Sequence, residues 1–398
     1  MDILRQGFLR KLLFAKNKEQ STTLVCVFLR GGADTLNFVV PYGDDDYYRL
    51  RPSIHIAAPK NNKRESSIRL DDFYAFHPKL SPLYPLFEEG RLGIVQAVGS
   101  DNTSGSHFEA QDQMEHGSSQ HQLLGSGWLG RHLRLHNNEH KKAISAVAMG
   151  TTIPESLRGA PNINVIQSLS DLKIHTASGN SQSARDAIAK MYGIQSNILN
   201  QHGQDTLGLL QKIENLQKSE YRPENNANYP QNSFGNELRE VARLIKGQLG
   251  LQVACIDLGG WDTHFFQGQE NGLQAGNIDT LAKGLAAFDA DLHRYKNSVT
   301  TVVMTEFGRR VYENSSMGTD HGRAFTFFAL GNKINGGQVL GKWPGLKNDN
   351  DEEGPGGLKV QYDYRSLLSE ILLDVLNNRQ IAKIFPNFRP QKIGLTKR

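Results

Sequence analysis

The apolar run Leu251-Gln252-Val253-Ala254-Cys255-Ile256 leads into Gly259-Gly260-Trp261-Asp262-Thr263-His264, which sets a carboxylate and an imidazole two residues apart. A short apolar run with β-branched members is the signature of a strand buried on both faces, and such strands belong to parallel sheets covered by helices. The pattern recurs. Leu24 to Leu29 leads into Gly31-Gly32-Ala33-Asp34, and Val299 to Met304 leads into Thr305-Glu306-Phe307-Gly308-Arg309. Thr319-Asp320-His321-Gly322 stands just before Phe325 to Leu330. Leu92 to Val98, Ala143 to Met149 and Ile163 to Ile166 read as further strands. Helical stretches fall between them: Leu80 to Glu89, Glu237 to Leu249 with Leu238, Val241, Ala242 and Ile245 on one face, Ile278 to Tyr295, and Leu367 to Leu376 capped by Asp363. This alternation predicts an α/β domain around a central, mostly parallel sheet. Residues 41–76 show no firm period and read as an irregular excursion. Residues 181 to about 220 are polar and helical, and Asn225 to Asn232 marks a loop, so a helical insertion is expected at about 181–235.

In open α/β sheets, ligands bind outside the carboxyl ends of the strands. Asp34, Asp262 with His264, and Glu306 follow strand-like runs and would share that edge. Carboxylate oxygens and imidazole nitrogens without thiolates suit Zn²⁺, Mn²⁺ or another divalent ion, one or two in number. The metal-ligand candidates are therefore Asp34, Asp262, His264, Glu306, Asp320 and His321. Each has a plainer reading: Asp34 as a turn residue, Asp320-His321 as an ion pair, Glu306 as a partner of Arg309 or Arg310. Ser106 precedes the helical Phe108-Glu109-Ala110-Gln111, with Glu109 three positions on, which is a capping box. A helix N-terminus also favours a phosphate or sulfate, so Ser106 is a candidate nucleophile as well as a cap. Thr103 and Ser104 are nearby substitutes. His107 reads as a ligand, a general acid or a structural histidine. Arg30, Arg309 and Arg323 flank the acidic stretches, where they would clamp an anionic ester group or balance carboxylates.

A net charge of +4, without a concentrated basic face, argues against a nucleic-acid partner. No apolar run reaches the length of a transmembrane helix. Residues 1–21 form a separate N-terminal segment. Arg5-Gln6-Gly7-Phe8-Leu9-Arg10 has the look of a worn export signal, but there is no twin arginine, and Leu12 to Ala15 is too short for an apolar core. The two cysteines, Cys26 and Cys255, lie inside apolar runs, as buried free thiols or as a disulfide between neighbouring strands.

Several longer motifs occur in a set order. They are Leu29-Arg30-Gly31-Gly32-Ala33-Asp34-Thr35-Leu36-Asn37, Pro41-Tyr42-Gly43, Tyr47-Tyr48, Ser106-His107-Phe108-Glu109-Ala110-Gln111 and Gly127-Trp128-Leu129-Gly130-Arg131. Trp261-Asp262-Thr263-His264, Glu306-Phe307-Gly308-Arg309 and Gly318-Thr319-Asp320-His321-Gly322 complete the series. From about residue 22 to the C-terminus the chain resembles the bacterial family called domain of unknown function 1501. That family resembles the alkaline phosphatase and sulfatase superfamily of metal-dependent phospho- and sulfo-hydrolases. The resemblance implies a single three-layer α/β/α domain over 22–398 and a metal Asp after the first strand, at Asp34. It implies a nucleophile at a helix N-terminus, at Ser106 or Thr103, and an Asp and His close together, at Asp262 and His264. It implies a further Asp-His pair at Asp320-His321 and an anionic ester substrate, small or polymeric. It also implies a final histidine near the C-terminus, and the chain has none after His321; Glu306 or His107 would have to fill that place. A catalytically degenerate binding protein, for an anionic glycan or a cell-envelope partner, is the alternative on the same scaffold. Many members of the family are exported, which implies a periplasmic or exported protein; a cytoplasmic one follows if the N-terminal segment is no signal. Nothing in the sequence marks an oligomeric state.

Overall fold

The computed structural model describes residues 22–60, 66–120, 122, 124–136, 144–171, 190, 208, 211–346 and 357–397. The N-terminal segment 1–21 and most of the expected 181–235 insertion lie outside the described residues. In chain order the strands are β1 (Thr23–Leu29), β2 (Val39–Val40), β3 (Ile68–Arg69), β4 (Ala75–Phe76), β5 (Leu92–Gly99), β6 (Ala146–Met149), β7 (Ile163–Ile166), β8 (Val253–Leu258), β9 (Val299–Thr305), β10 (Phe325–Leu330), β11 (Val339–Leu340) and β12 (Tyr362–Asp363).

The main sheet runs β11-β5-β10-β9-β1-β8-β6-β7, with β12 also paired to β5. The block β9-β1-β8-β6-β7 is parallel throughout. β10 is antiparallel to both β9 and β5. The sheet is thus mixed but mostly parallel, as its apolar strands predict.

Alternate residues of β1 feed two different cores. Val25, Val27 and Leu29 pack with Leu238, Val241, Ile278 and Leu285, from helices Ser233–Lys246 and Leu273–Asp291. Leu24, Cys26 and Phe28 pack on the opposite side with Met114, Trp128, Leu133, Leu367 and Ile371, from helices His107–His116, Trp128–His136 and Tyr364–Glu370 with the π turn that follows it. All seven residues of β1 are buried, and the sandwich has three layers because a strand with two apolar faces must be covered twice. Cys26 and Cys255 are register partners on β1 and β8 and are free, buried thiols.

The segment 41–76 is more ordered than its lack of periodicity predicts. It holds the helix Asp45–Leu50, capped by the Asp44 carboxylate, and β2, β3 and β4 form a small antiparallel sheet, β2-β4-β3. These strands are two residues long, too short for a period-2 signal.

Strand direction explains how the motifs meet. The parallel strands β1, β8 and β9 deliver residues 30–34, 259–264 and 306–309 to their carboxyl edge. β5, antiparallel to β10 and so in the same sense as β9, delivers the loop that leads to His107. β10 runs the other way, so residues just before it, Asp320 and His321, arrive at that same edge.

Candidate metal centre

Three imidazoles turn their Nε2 atoms towards one carboxylate oxygen. Asp262 Oδ1 lies 2.9 Å from His264 Nε2, 3.2 Å from His321 Nε2 and 3.5 Å from His107 Nε2. The ligand atoms of His107, Asp262 and His321 all lie within 4.8 Å of one another, and His264 Nε2 is 3.0 Å from His321 Nε2.

Each ring is oriented from behind. His107 Nδ1 is 2.8 Å from Glu306 Oε1, His264 Nδ1 is 2.8 Å from Asp320 Oδ1, and His321 Nδ1 is 2.7 Å from the Gly105 carbonyl. A carbonyl or an ionised carboxylate only accepts, so each Nδ1 carries a proton, which in a neutral ring leaves Nε2 as the lone-pair side. Two such lone pairs 3.0 Å apart, beside a carboxylate, repel unless a proton or a cation lies between them. His107 Nε2 is buried and has no hydrogen-bond partner.

The charges agree with this arrangement. Burial alone would raise the Asp262 carboxyl, but the Arg309 hydrogen bond and charge, with His321 and His264, hold it down to about 2. Burial would also raise Glu306 and Asp320. Hydrogen bonds from His107, Gln111 and Gly31 hold Glu306 below the usual range, and those from His264 and Asn314 do the same for Asp320. The Glu306 hydrogen bond raises His107, whereas burial lowers His321.

Arg309 ties the loops together. Its side chain is fully buried. Nε donates to the Gly32 carbonyl at 2.5 Å, Nη1 to Thr319 at 2.8 Å, and Nη2 to the Gly31 and Trp261 carbonyls and to Asp262 Oδ1 at 2.6 Å. The loops after β1, β8 and β9 and the one before β10 are thus joined through one guanidinium. They also pack backbone to backbone. Gly31 has φ of +118°, and a Cβ there would stand 2.7 Å from the Asp262 nitrogen; a Cβ on Gly318 would stand 2.3 Å from the His264 carbonyl.

The sequence candidates fall into two groups. Asp262, His264, Asp320, His321, Glu306 and His107 come together. Asp34 stands apart: it is buried, its two oxygens take a bidentate pair from Arg51 at 2.5 and 3.0 Å, and Gln267 donates to it at 2.6 Å. Arg309 pairs with Asp262 rather than with Glu306. Arg30 is likewise engaged within the protein, with Glu115 at 2.5 Å and Asp257 at 3.0 Å, and Arg323, half-buried, donates to the Ser100 carbonyl at 3.5 Å. Ser106 is the N-cap of its helix, its Oγ accepting from Glu109 N at 3.5 Å. The Ser106 N–H, which a capping box pairs with the Glu109 carboxylate, donates to Ser104 Oγ instead. Thr103 is exposed.

Arg51, Gln111, Gln267 and Asn314 were not foreseen as part of this network. Gln111 had a signal: at i+4 from His107 it shares that helix face, and its Nε2 donates to Glu306 at 2.9 Å. Arg51 has none, because a buried ion pair across seventeen residues leaves no local pattern.

Residues 92–390 match the family model described as protein of unknown function (DUF1501), and the chain belongs to that family. The Gly31 to Asp34 segment precedes the matched region. Comparison with curated proteins finds no significant match. Among solved structures the chain is similar to the C-terminal periplasmic domain of EcEptC from Escherichia coli in complex with Zn, at 9% identity and a TM-score of 0.40, over 94% of this chain and 89% of that one. It is similar to the alkaline phosphatase of the Antarctic bacterium TAB5 at 12% identity and a TM-score of 0.30, over 79% and 92%. It is similar to BT1596, a 2-O GAG sulfatase, at 11% identity and a TM-score of 0.31, over 86% and 72%. At scores this low, the chemistry of the site rests on the chain's own residues.

Proposed function

We propose that the chain is a metal-dependent hydrolase of phosphate or sulfate esters, related to the alkaline phosphatase and sulfatase superfamily. Its divalent ion would be held by His107, His264, His321 and Asp262. The observation that carries this reading is the convergence of three Nε2 lone pairs on one carboxylate. Nitrogen and oxygen ligands with carboxylates behind the imidazoles fit Zn²⁺ or Mn²⁺. When bound, such an ion supplies Lewis-acid stabilisation of charge developing on an ester oxygen.

The chain's own groups have separate tasks in this reading. Glu306 and Gln111 orient His107, Asp320 orients His264, and the Gly105 carbonyl orients His321. Arg309 holds Asp262 ionised. Ser106 stands between Gly105 and His107, both of which touch the centre, and at 3.5 Å its capping bond is long enough to leave the hydroxyl loosely committed. We assign Ser106 as the nucleophile, with Thr103 as the substitute. Asp34, Arg30 and Arg309 are structural in this reading; Arg323, two residues beyond His321, is assigned to contact the anionic group.

The second reading, a binding protein for an anionic glycan or cell-envelope partner on the same scaffold, is favoured by the capping role of Ser106. One experiment separates the two. Protein loaded with Zn²⁺ or Mn²⁺ is assayed for metal content and for turnover of a panel of aryl phosphate and sulfate esters. The hydrolase reading expects bound metal and turnover that disappears in His264→Ala. A metal-loaded protein inert on the whole panel would falsify it.

A further inference from the structure

Large apolar side chains stand in solvent on the segments that carry this centre. Phe108 is 86% exposed, Phe265 65%, Phe266 66% and Met317 43%. Phe265 and Phe266 follow His264, and Met317 precedes Gly318-Thr319-Asp320-His321. Phe108 follows His107 on the first turn of its helix. The Phe265 ring lies 6.4 Å from the His264 ring, centroid to centroid. Phe266 N–H donates to the Ser316 carbonyl and Gln267 N–H to the Met317 carbonyl, both at 2.9 Å, which clamps the two loops side by side. Phe266 and Met317 have φ of +43° and +55°, a region that bulky residues leave unless the surroundings hold them there. The chain thus holds apolar groups outward on the segments of a polar site, two of them in unfavourable backbone.

We propose that the substrate is an amphiphile: an anionic phosphate or sulfate head on a hydrocarbon tail, the head at the centre and the tail across Phe108, Phe265, Phe266 and Met317. This rests on the reading of the centre as an anionic-ester site and names the class of ester it takes. The Phe265 ring stands beside the His264 ring, so one molecule with both chemistries would reach from the centre onto the apolar side chains. Covering them also withdraws apolar surface from water, and each methylene so covered strengthens binding by about fourfold.

The test uses non-hydrolysable probes and reads binding by calorimetry on the full, metal-loaded chain. Decylphosphonate should bind at least about tenfold more tightly than ethylphosphonate. The advantage should vanish in the triple variant Phe108→Ser, Phe265→Ser, Phe266→Ser, with ethylphosphonate affinity unchanged. Decyltrimethylammonium, with the same tail and the opposite charge, should not compete. Equal affinity for the two phosphonates overturns the proposal, as does equal binding of the cationic amphiphile, which would mark a merely adhesive patch. Loss of the chain-length advantage in the triple variant without loss of its fold, read by melting temperature, supports it. A chain-length preference without ester turnover leaves the amphiphile site standing and sinks the hydrolase reading; turnover without the preference does the reverse.

Discussion

Replacing Asp34 by asparagine separates two roles for that carboxylate. Both side chains of the Asp34–Arg51 pair are fully buried. Arg51 also donates to Asn37 Oδ1 and to the Val311 and Arg310 carbonyls, so it stays in place when its partner is neutralised. The variant then leaves a buried guanidinium uncompensated, which costs about 3–5 kcal/mol. Unfolding entropy for a chain of 398 residues is roughly 0.8 kcal/mol/K, so the melting temperature should fall by about 4–6 °C. Adding Arg51→Met removes the stranded charge and should recover about 0.5–3 kcal/mol of the loss. The assays are thermal unfolding and elemental analysis of the folded protein. Because Asp34 stands apart from the imidazole cluster, metal content per folded chain should match wild type in both variants. An Asp34→Asn protein that melts like wild type but loses its metal would show that Asp34 is a ligand, and the assignment of the centre to Asp262 and the three histidines would fall.

Glu306→Gln removes the charge that orients His107 and should weaken Zn²⁺ binding by about 10- to 100-fold in a competition titration; unchanged affinity would remove His107 from the ligand set. Burial, then the Asp257 charge, raises Glu237 to about 7. Its folded pKa exceeds the unfolded value, so its favourable contribution is complete below about 4.5 and is lost as pH rises through 7. Glu237→Gln should therefore unfold at higher denaturant than wild type at pH 8, with the gap closing near pH 4.5; a constant gap would refute the burial argument. Burial lowers His132 to about 3. Stability should be full above about 6.5 and fall as pH drops towards 3, and His132→Asn should flatten that slope in acid titrations. Cys26 and Cys255 are buried, and burial with the Cys26 hydrogen bond leading raises the Cys255 thiol; a thiol reagent should label both only in denaturant, and labelling of the native protein would show the two central strands open.

The sheet was legible because β1, β8 and β9 bury both faces and so read as unbroken apolar runs, and their glycine-rich exits mark where backbone must approach backbone. The gathering of Asp262, His264 and Glu306 on one edge follows from parallel strands alone. Asp320-His321 is different. A parallel β10 would carry it to the opposite edge, 20 Å or so away for a six-residue strand, and the order of motifs along the chain does not reveal strand direction. Its antiparallel pairing with β9 and β5 brings His321 to Asp262. The partner of Asp34 was hidden for the opposite reason. A Gly-Gly-Ala-Asp turn after a strand has the form of a ligand loop, and only the fold of 41–76, held by two-residue strands too short to show a period, places Arg51 against it. The division is physical: covering a strand on two faces writes itself into composition, whereas pairing a buried charge with a partner seventeen residues away leaves no local pattern. That is why the centre's outline could be drawn from the chain while the partners of Asp34 and of Arg309 are read only from the packing.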